Sequence, residues 1–154
     1  MSDTIVVGTD GSDTARQAVS EAVRLARALG AEVHVVTAFE PTHRAKIVGA
    51  PTGAQKFWGP LTNEVARSTI DEAAASIRAA GVTVEPHMVQ KDPADALLQV
   101  AGEVGASLIV VGSQGMAGAR RLLGSVPNKV SHEAKCNVLI VATQKGAGSD
   151  KGAA

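Results

Sequence analysis

At 154 residues, 45% hydrophobic and 19% charged, the chain has the length and balance of one globular domain with a sizeable core. Its 15 Lys and Arg offset 15 Asp and Glu, which leaves no basic field for nucleic acid or an anionic membrane, and two Phe, one Trp and no Tyr give little for stacking bases. No apolar run approaches the roughly 20 residues that span a bilayer, the first residues lack the pattern of a signal peptide, and the one cysteine excludes an internal disulfide. The expected location is cytoplasmic.

Ile5-Val6-Val7 is β-branched and apolar without alternation, the pattern of a parallel strand covered on both faces. Ser12 or Asp13 can cap the helix that follows, whose apolar face runs from Ala15 through Ala18, Val19, Ala22, Leu25 and Ala26 to Leu29. Gly30 sits where that helix should stop. Residues 33–39 read as a second strand, and Pro41 through Pro60 as a long loop. A helix with Val65, Ala66, Ile70, Ala73, Ala74, Ile77 and Ala80 on one face is closed by Gly81. Residues 82–89 form a third strand, placed near a sheet edge because Pro86 cannot donate to a ladder. Asp92-Pro93 starts a helix by carboxylate cap and proline at the first position, and Leu97, Leu98, Ala101 and Val104 give it a face. A fourth strand over 107–111, a short helix over 126–134 and a fifth strand over 138–141 complete the pattern. Residues 146–154 read as a disordered tail after a domain spanning 1–145. Strand and helix in alternation predict an α/β domain with a mainly parallel sheet and helices on both faces.

The chemistry concentrates at two strand-to-loop junctions. One is Leu108-Ile109-Val110-Val111-Gly112-Ser113-Gln114-Gly115, followed by Gly124-Ser125-Val126-Pro127. Glycines let backbone approach a ligand closely or take φ > 0; successive N–H groups make an anion nest, and a helix N-terminus favours negative charge. The other is Val7-Gly8-Thr9-Asp10-Gly11-Ser12, with a carboxylate at its lip. Across Thr4 to about Thr143, and most specifically in these segments, the chain resembles the universal stress proteins. Nucleotide-binding members carry Gly-x2-Gly-x9-Gly-[Ser/Thr]; here the second gap has eight residues, Met116 to Leu123.

The resemblance implies a doubly wound, five-stranded sheet of order 3-2-1-4-5. The strand order of such a sheet reverses between its first and fourth strands, where ligands sit beyond the carboxyl ends. Asp10 and Gly112 mark those two ends. It also implies an adenine-nucleotide site (ATP, AMP or cyclic AMP, with Mg²⁺ possible beside ATP) made by Gly8, Thr9, Asp10, Ala38, Gly112, Ser113, Gly115, Gly124, Ser125 and Val126. Ala38 enters through the resemblance alone, as the end of strand two that meets adenine through its backbone. A homodimer through the last strand, Asn137 to Thr143, is implied in the same way.

Plainer readings stand beside these. Asp10 serves a ribose or phosphate, or is a capping or loop aspartate. Ser125 donates to phosphate, caps its helix, or does both. Arg120 and Arg121 are more simply solvated than phosphate ligands, and Trp58 packs a loop more simply than it covers a cleft. The histidines at 34, 43, 87 and 132 fall on separate elements without an i, i+4 pair, so no zinc site is expected. Cys136 lacks a nearby base or a second thiol and reads as structural, and His132-Glu133, adjacent on a helix, point apart. No Gly-x4-Gly-Lys-[Ser/Thr] is present, and so no P-loop. The expected function is a stress-response module that senses or sequesters an adenine nucleotide, with no catalytic residue assigned. A slow nucleotide hydrolase using the same site and a nucleotide-free interaction protein are the rivals.

Overall fold

A computed structural model describes residues 3–40, 61–113 and 124–143. In chain order it contains β1 (Thr4–Gly8), α1 (Asp13–Leu29), β2 (Glu32–Glu40), β3 (Leu61–Thr62), α2 (Asn63–Ala79), β4 (Val84–Val89), α3 (Pro93–Val104), β5 (Leu108–Gly112), α4 (Ser125–Glu133) and β6 (Asn137–Val141). The main sheet runs β4-β2-β1-β5-β6, parallel throughout. These are the five strands and the order expected from the sequence. The structure adds a sixth, the two-residue β3, which pairs with the far end of β2 through Phe39↔Leu61 and Glu40↔Thr62. Two residues carry no period to read, so the sequence left this strand at the end of the loop. The β4 edge bears out the reading of Pro86: β4 pairs with β2, and Pro86 lies exposed upon it.

Alternation along buried strands sends successive side chains into two cores. Ile5, Val7, Val33, Val35 and Val110 meet Ala18, Ala22 and Ala26 of α1 and Ile70 and Ile77 of α2. Val6, Val36, Ala38, Ile109 and Val111 meet Leu97, Val100 and Ala101 of α3 and Val130 of α4. Burial on both faces is why these strands read as unbroken apolar runs.

Helix ends follow local chemistry. The Ser12 hydroxyl accepts from the Ala15 N–H at 3.2 Å and Thr62 does the same for Val65 at 3.3 Å. Gly30 and Gly105 close α1 and α3 at φ 70° and 65°, a region costly for residues with a Cβ. One expectation fails. Asp92 stands at the cap of α3 but its carboxylate makes no capping bond. Among the described residues no helix is long and apolar enough to cross a membrane.

Gly102 lies exposed within α3, where a Cβ would meet nothing within 4 Å. Gly102→Ala is therefore expected to raise stability by about 0.5–1 kcal/mol, the helix-interior cost of glycine. Urea melts at fixed m-value check it; a destabilised variant would contradict the open space seen there.

Candidate functional site

The strand order reverses between β1 and β5, whose register places Ile5, Val6 and Val7 beside Leu108, Ile109 and Val110. From their carboxyl ends the chain departs in opposite directions, and a cleft opens between the departing loops. Counted out to its open mouth, solvent included, the cleft spans about 710 Å³. Gly8, Thr9 and Asp10 come from the β1 end, Val36 and Ala38 from β2, and Val111 and Gly112 from β5. Leu61, Ser12, Thr14, Ala15, Pro93, Leu97, Val126 and Pro127 complete the lining. The N-termini of α1, α3 and α4 thus open onto one space, whose walls are mostly apolar.

Of the residues expected at the site, the cleft gathers Gly8, Thr9, Asp10, Ala38, Gly112 and Val126. Ser113, Gly124 and Ser125 lie next to lining residues without lining it themselves. Gly115, with Arg120, Arg121 and Trp58, lies outside the described residues.

Local geometry revises several roles. Gly112 and Gly124 are not in the left-handed region; Gly124 has φ −69° and ψ 172°. Gly112 is required by space instead, since a Cβ there would stand 3.0 Å from Thr143 Cγ2 and 3.4 Å from the Thr14 carbonyl oxygen. The left-handed glycine of the β1–α1 turn is Gly11, at φ 84°, which faces Thr69, 3.3 Å from its missing Cβ, and does not line the cleft. Gly8 likewise lets Leu97 approach, to 3.1 Å of where a Cβ would be. Gly124, not Ser125, occupies the cap of α4, so Ser125 begins the helix as its first residue and the capping role expected of it is not taken up.

Asp10 does the work of its plainer reading: its Oδ1 accepts from the Ser12 N–H at 2.9 Å, which fixes the turn into α1. The same turn is tied to β2, with Thr9 N–H donating to the Val36 carbonyl at 2.9 Å and Thr37 Oγ1 to the Thr9 carbonyl at 3.0 Å. Ser113 is held as well. Its N–H donates to the Val141 carbonyl at 2.8 Å and its hydroxyl accepts from the Thr143 N–H at 3.1 Å, anchoring the end of β6. Outside the lining, Lys129 of α4 and Asp95 of α3 pair at 2.9 Å, and the carboxylate holds the ammonium above its usual pKa. Burial raises the Cys136 thiol, in keeping with a structural cysteine.

The sequence assigned no site role to Ser12, Thr14, Ala15, Val36, Leu61, Pro93, Leu97, Val111 and Pro127. Leu97 was legible only as a core residue, because one helix turn supplies both core and cleft wall. Among the described residues no group of three or more His, Cys, Asp or Glu is placed to hold a metal ion. The histidines were read as scattered; His34 and His87 in fact meet, Nδ1 to Nε2, at 2.8 Å across β2 and β4. Register between strands distant in sequence brought them together.

The sequence model of the universal stress protein family matches residues 1–142. The chain belongs to that family. A universal stress protein of Mycobacterium tuberculosis (strain ATCC 25618 / H37Rv) is 37% identical over 141 residues, covering 91% of this chain and 96% of its own. The crystal structure of a universal stress protein in complex with cAMP superposes with TM-score 0.69 at 37% identity, over 93% of this chain and 98% of that one. The universal stress protein from Archaeoglobus fulgidus in complex with dAMP superposes with TM-score 0.66 at 26% identity, over 92% and 98% of the two chains.

Proposed function

We propose that this universal stress protein binds an adenine nucleotide in the cleft between the β1 and β5 ends and acts as a regulatory or sequestering module in the stress response. The observation that carries the reading is the convergence of three helix N-termini on one largely apolar cleft at the reversal of strand order. Aligned peptide dipoles and free N–H groups at helix starts favour an anion, and apolar walls favour a flat, weakly polar base. Solved relatives holding cAMP and dAMP support the same ligand class.

In this reading Val36, Ala38, Leu61 and Leu97 take the base, Thr9 and Asp10 face the ribose, and Gly112, Gly124, Ser125 and Val126 surround phosphate. With ATP, Mg²⁺ would be held chiefly by phosphate oxygens, as that ion usually is, with Asp10 the carboxylate at hand. We also infer a homodimer through β6. Val138, Leu139, Ile140 and Val141 are partly exposed there, and an apolar edge strand asks for a partner or a cover.

Native mass spectrometry of the purified protein tests both claims at once, through the mass of one adenine nucleotide per chain and the mass of a dimer. Phosphate release under saturating ATP and Mg²⁺ then separates a binder from an enzyme. Oriented amides supply only part of what phosphoryl transfer requires, so we expect a rate far below ~1 s⁻¹, the low end of ordinary enzymes. A rate at or above that value, abolished by Asp10→Ala, would make the protein a hydrolase. Failure to bind ATP, AMP or cyclic AMP at millimolar concentration would leave a nucleotide-free interaction protein.

A further inference from the structure

On the face of the sheet that α3 and α4 cover, at its β4 edge, three side chains form a hydrogen-bonded chain. His34 Nε2 lies 2.9 Å from Glu32 Oε1, and His34 Nδ1 lies 2.8 Å from His87 Nε2, with ring centroids 5.1 Å apart. His34 is buried, with 8% of its surface exposed, and His87 half-buried. The carboxylate can only accept, so the His34 Nε2 carries a proton. A neutral His34 then has a bare Nδ1, which accepts from the Nε2–H of His87. With both rings neutral, each is therefore the Nε2–H tautomer.

This chain can absorb one proton and not two. A single added proton goes to the bare Nδ1 of His87, and the Nε2–H already between the rings stays in place. A second leaves two N–H groups facing each other at 2.8 Å, with two positive charges and no acceptor. The contact must then break. It spans the pairing of β4 with β2 at the edge of the sheet, where the ladder from Val33↔Val84 to Ala38↔Val89 and the packing of Val84 and Met88 on α2's side also hold β4, so its loss loosens that edge rather than freeing it. His87 is the register partner of Val36, which lines the cleft and whose carbonyl holds Thr9.

We propose that Glu32, His34 and His87 form an acid-sensitive latch between β4 and β2 that loosens this edge of the sheet when both rings are protonated.

The groups facing the pair are Glu32 from β2, Glu85 from β4 and Glu103 from α3, the last accepting from Gln99 at 3.1 Å, while β1 presents Val6 beside His34. Burial and the neighbouring His34 hold His87 below its ordinary 6.5, against the opposing pull of Glu85 and Glu103. Because the folded value is depressed, the unfolded chain binds more protons over the interval below 6.5. The stability due to a neutral His87 is therefore complete above 6.5 and is lost as pH falls through its lower folded value.

Amide exchange, expressed as protection factors so that intrinsic rates cancel, reads the latch directly. Between about pH 7.5 and about pH 5, where histidine titrates, protection across Val84–Val89 should fall at least about tenfold. That of the central strand β1 should change less than about threefold. In His87→Gln, whose side-chain amide still donates to His34 but does not titrate, the β4 loss should disappear. Equal β4 protection at both pH values, or an equal loss in His87→Gln, overturns the latch. ¹⁵N spectra of the wild-type imidazoles make the test independent of any variant's folding. At about pH 7.5 both His34 and His87 should be Nε2–H, and an Nδ1–H form of His34 would refute the arrangement.

Discussion

Gly112→Val is expected to lower adenine-nucleotide affinity at least about tenfold, or roughly 1.4 kcal/mol. The first new carbon alone would stand 3.0 Å from Thr143 Cγ2 and 3.4 Å from the Thr14 carbonyl oxygen, with Ala18 Cβ at 3.9 Å. A branched side chain adds two methyl groups to that crowding. Something must move, and both yielding partners connect to the site, Thr14 as part of its lining and Thr143 through Ser113. Thr14 lies in the first turn of α1, which opens onto the cleft. Thr143 is held by the Ser113 hydroxyl directly after the glycine. Displacing either one shifts the amides on which the nucleotide reading depends, and a displacement of about 1 Å in a preorganised site is costly. Calorimetric titration with AMP, alongside a thermal melt of the same sample, separates loss of binding from loss of fold. Gly112→Ala should fall between wild type and Val. A folded Gly112→Val protein with undiminished affinity would place the ligand elsewhere.

Ile109→Ala is expected to cost about 2–5 kcal/mol of stability, a large share of the roughly 5–15 kcal/mol that holds a typical domain. Ile109 is fully buried on β5, between β1 and β6, and its face of the sheet is covered by α3 and α4. Truncation removes the transfer energy of three carbons and leaves a cavity in a rigid layer, where a neighbouring strand can close in only by breaking its ladder. The melting temperature should drop by roughly 4–20 °C, the range that ΔΔG implies at this chain length. Ile109→Val, which deletes one methyl, should cost about 0.5–1.5 kcal/mol. Equilibrium denaturation of the two variants checks the series. A loss below about 1 kcal/mol for the alanine would mean that the layer under α3 is not packed as described.

The first junction, from Ile5 to Ser12, was legible because its elements are local. A β-branched run, a small residue at the strand end and a serine able to reach an N–H three residues on each act over a few residues, and the structure keeps all of them. Helix faces and the glycines at 30 and 81 were legible for the same reason, whereas Gly105 drew no notice until the structure placed it at the end of α3. The sheet order was legible through the family resemblance, which binds the Gly112 and Gly8 junctions into one crevice.

Decisions that turn on separation in space were out of reach. Gly112 suggested a backbone conformation, yet its need is for room beside Thr143, some thirty residues along the chain. Leu61 showed no period and became part of the cleft only by pairing next to Phe39. Ser125 looked like a cap until the helix began at it and Gly124 took the position.

What the sequence by itself determined is the alternation of strand and helix and the boundaries between them, because propensity, period and capping act within one or two turns of chain. Only the tertiary structure decided which face of a strand or helix meets the cleft, since the side-chain periods of strand and helix supply two faces without saying what will cover each. It also decided which distant residues touch. His34 and His87 are unremarkable on their own strands; parallel pairing of β2 with β4, through Val36↔His87 and His34↔Glu85, brings their rings into hydrogen-bond contact.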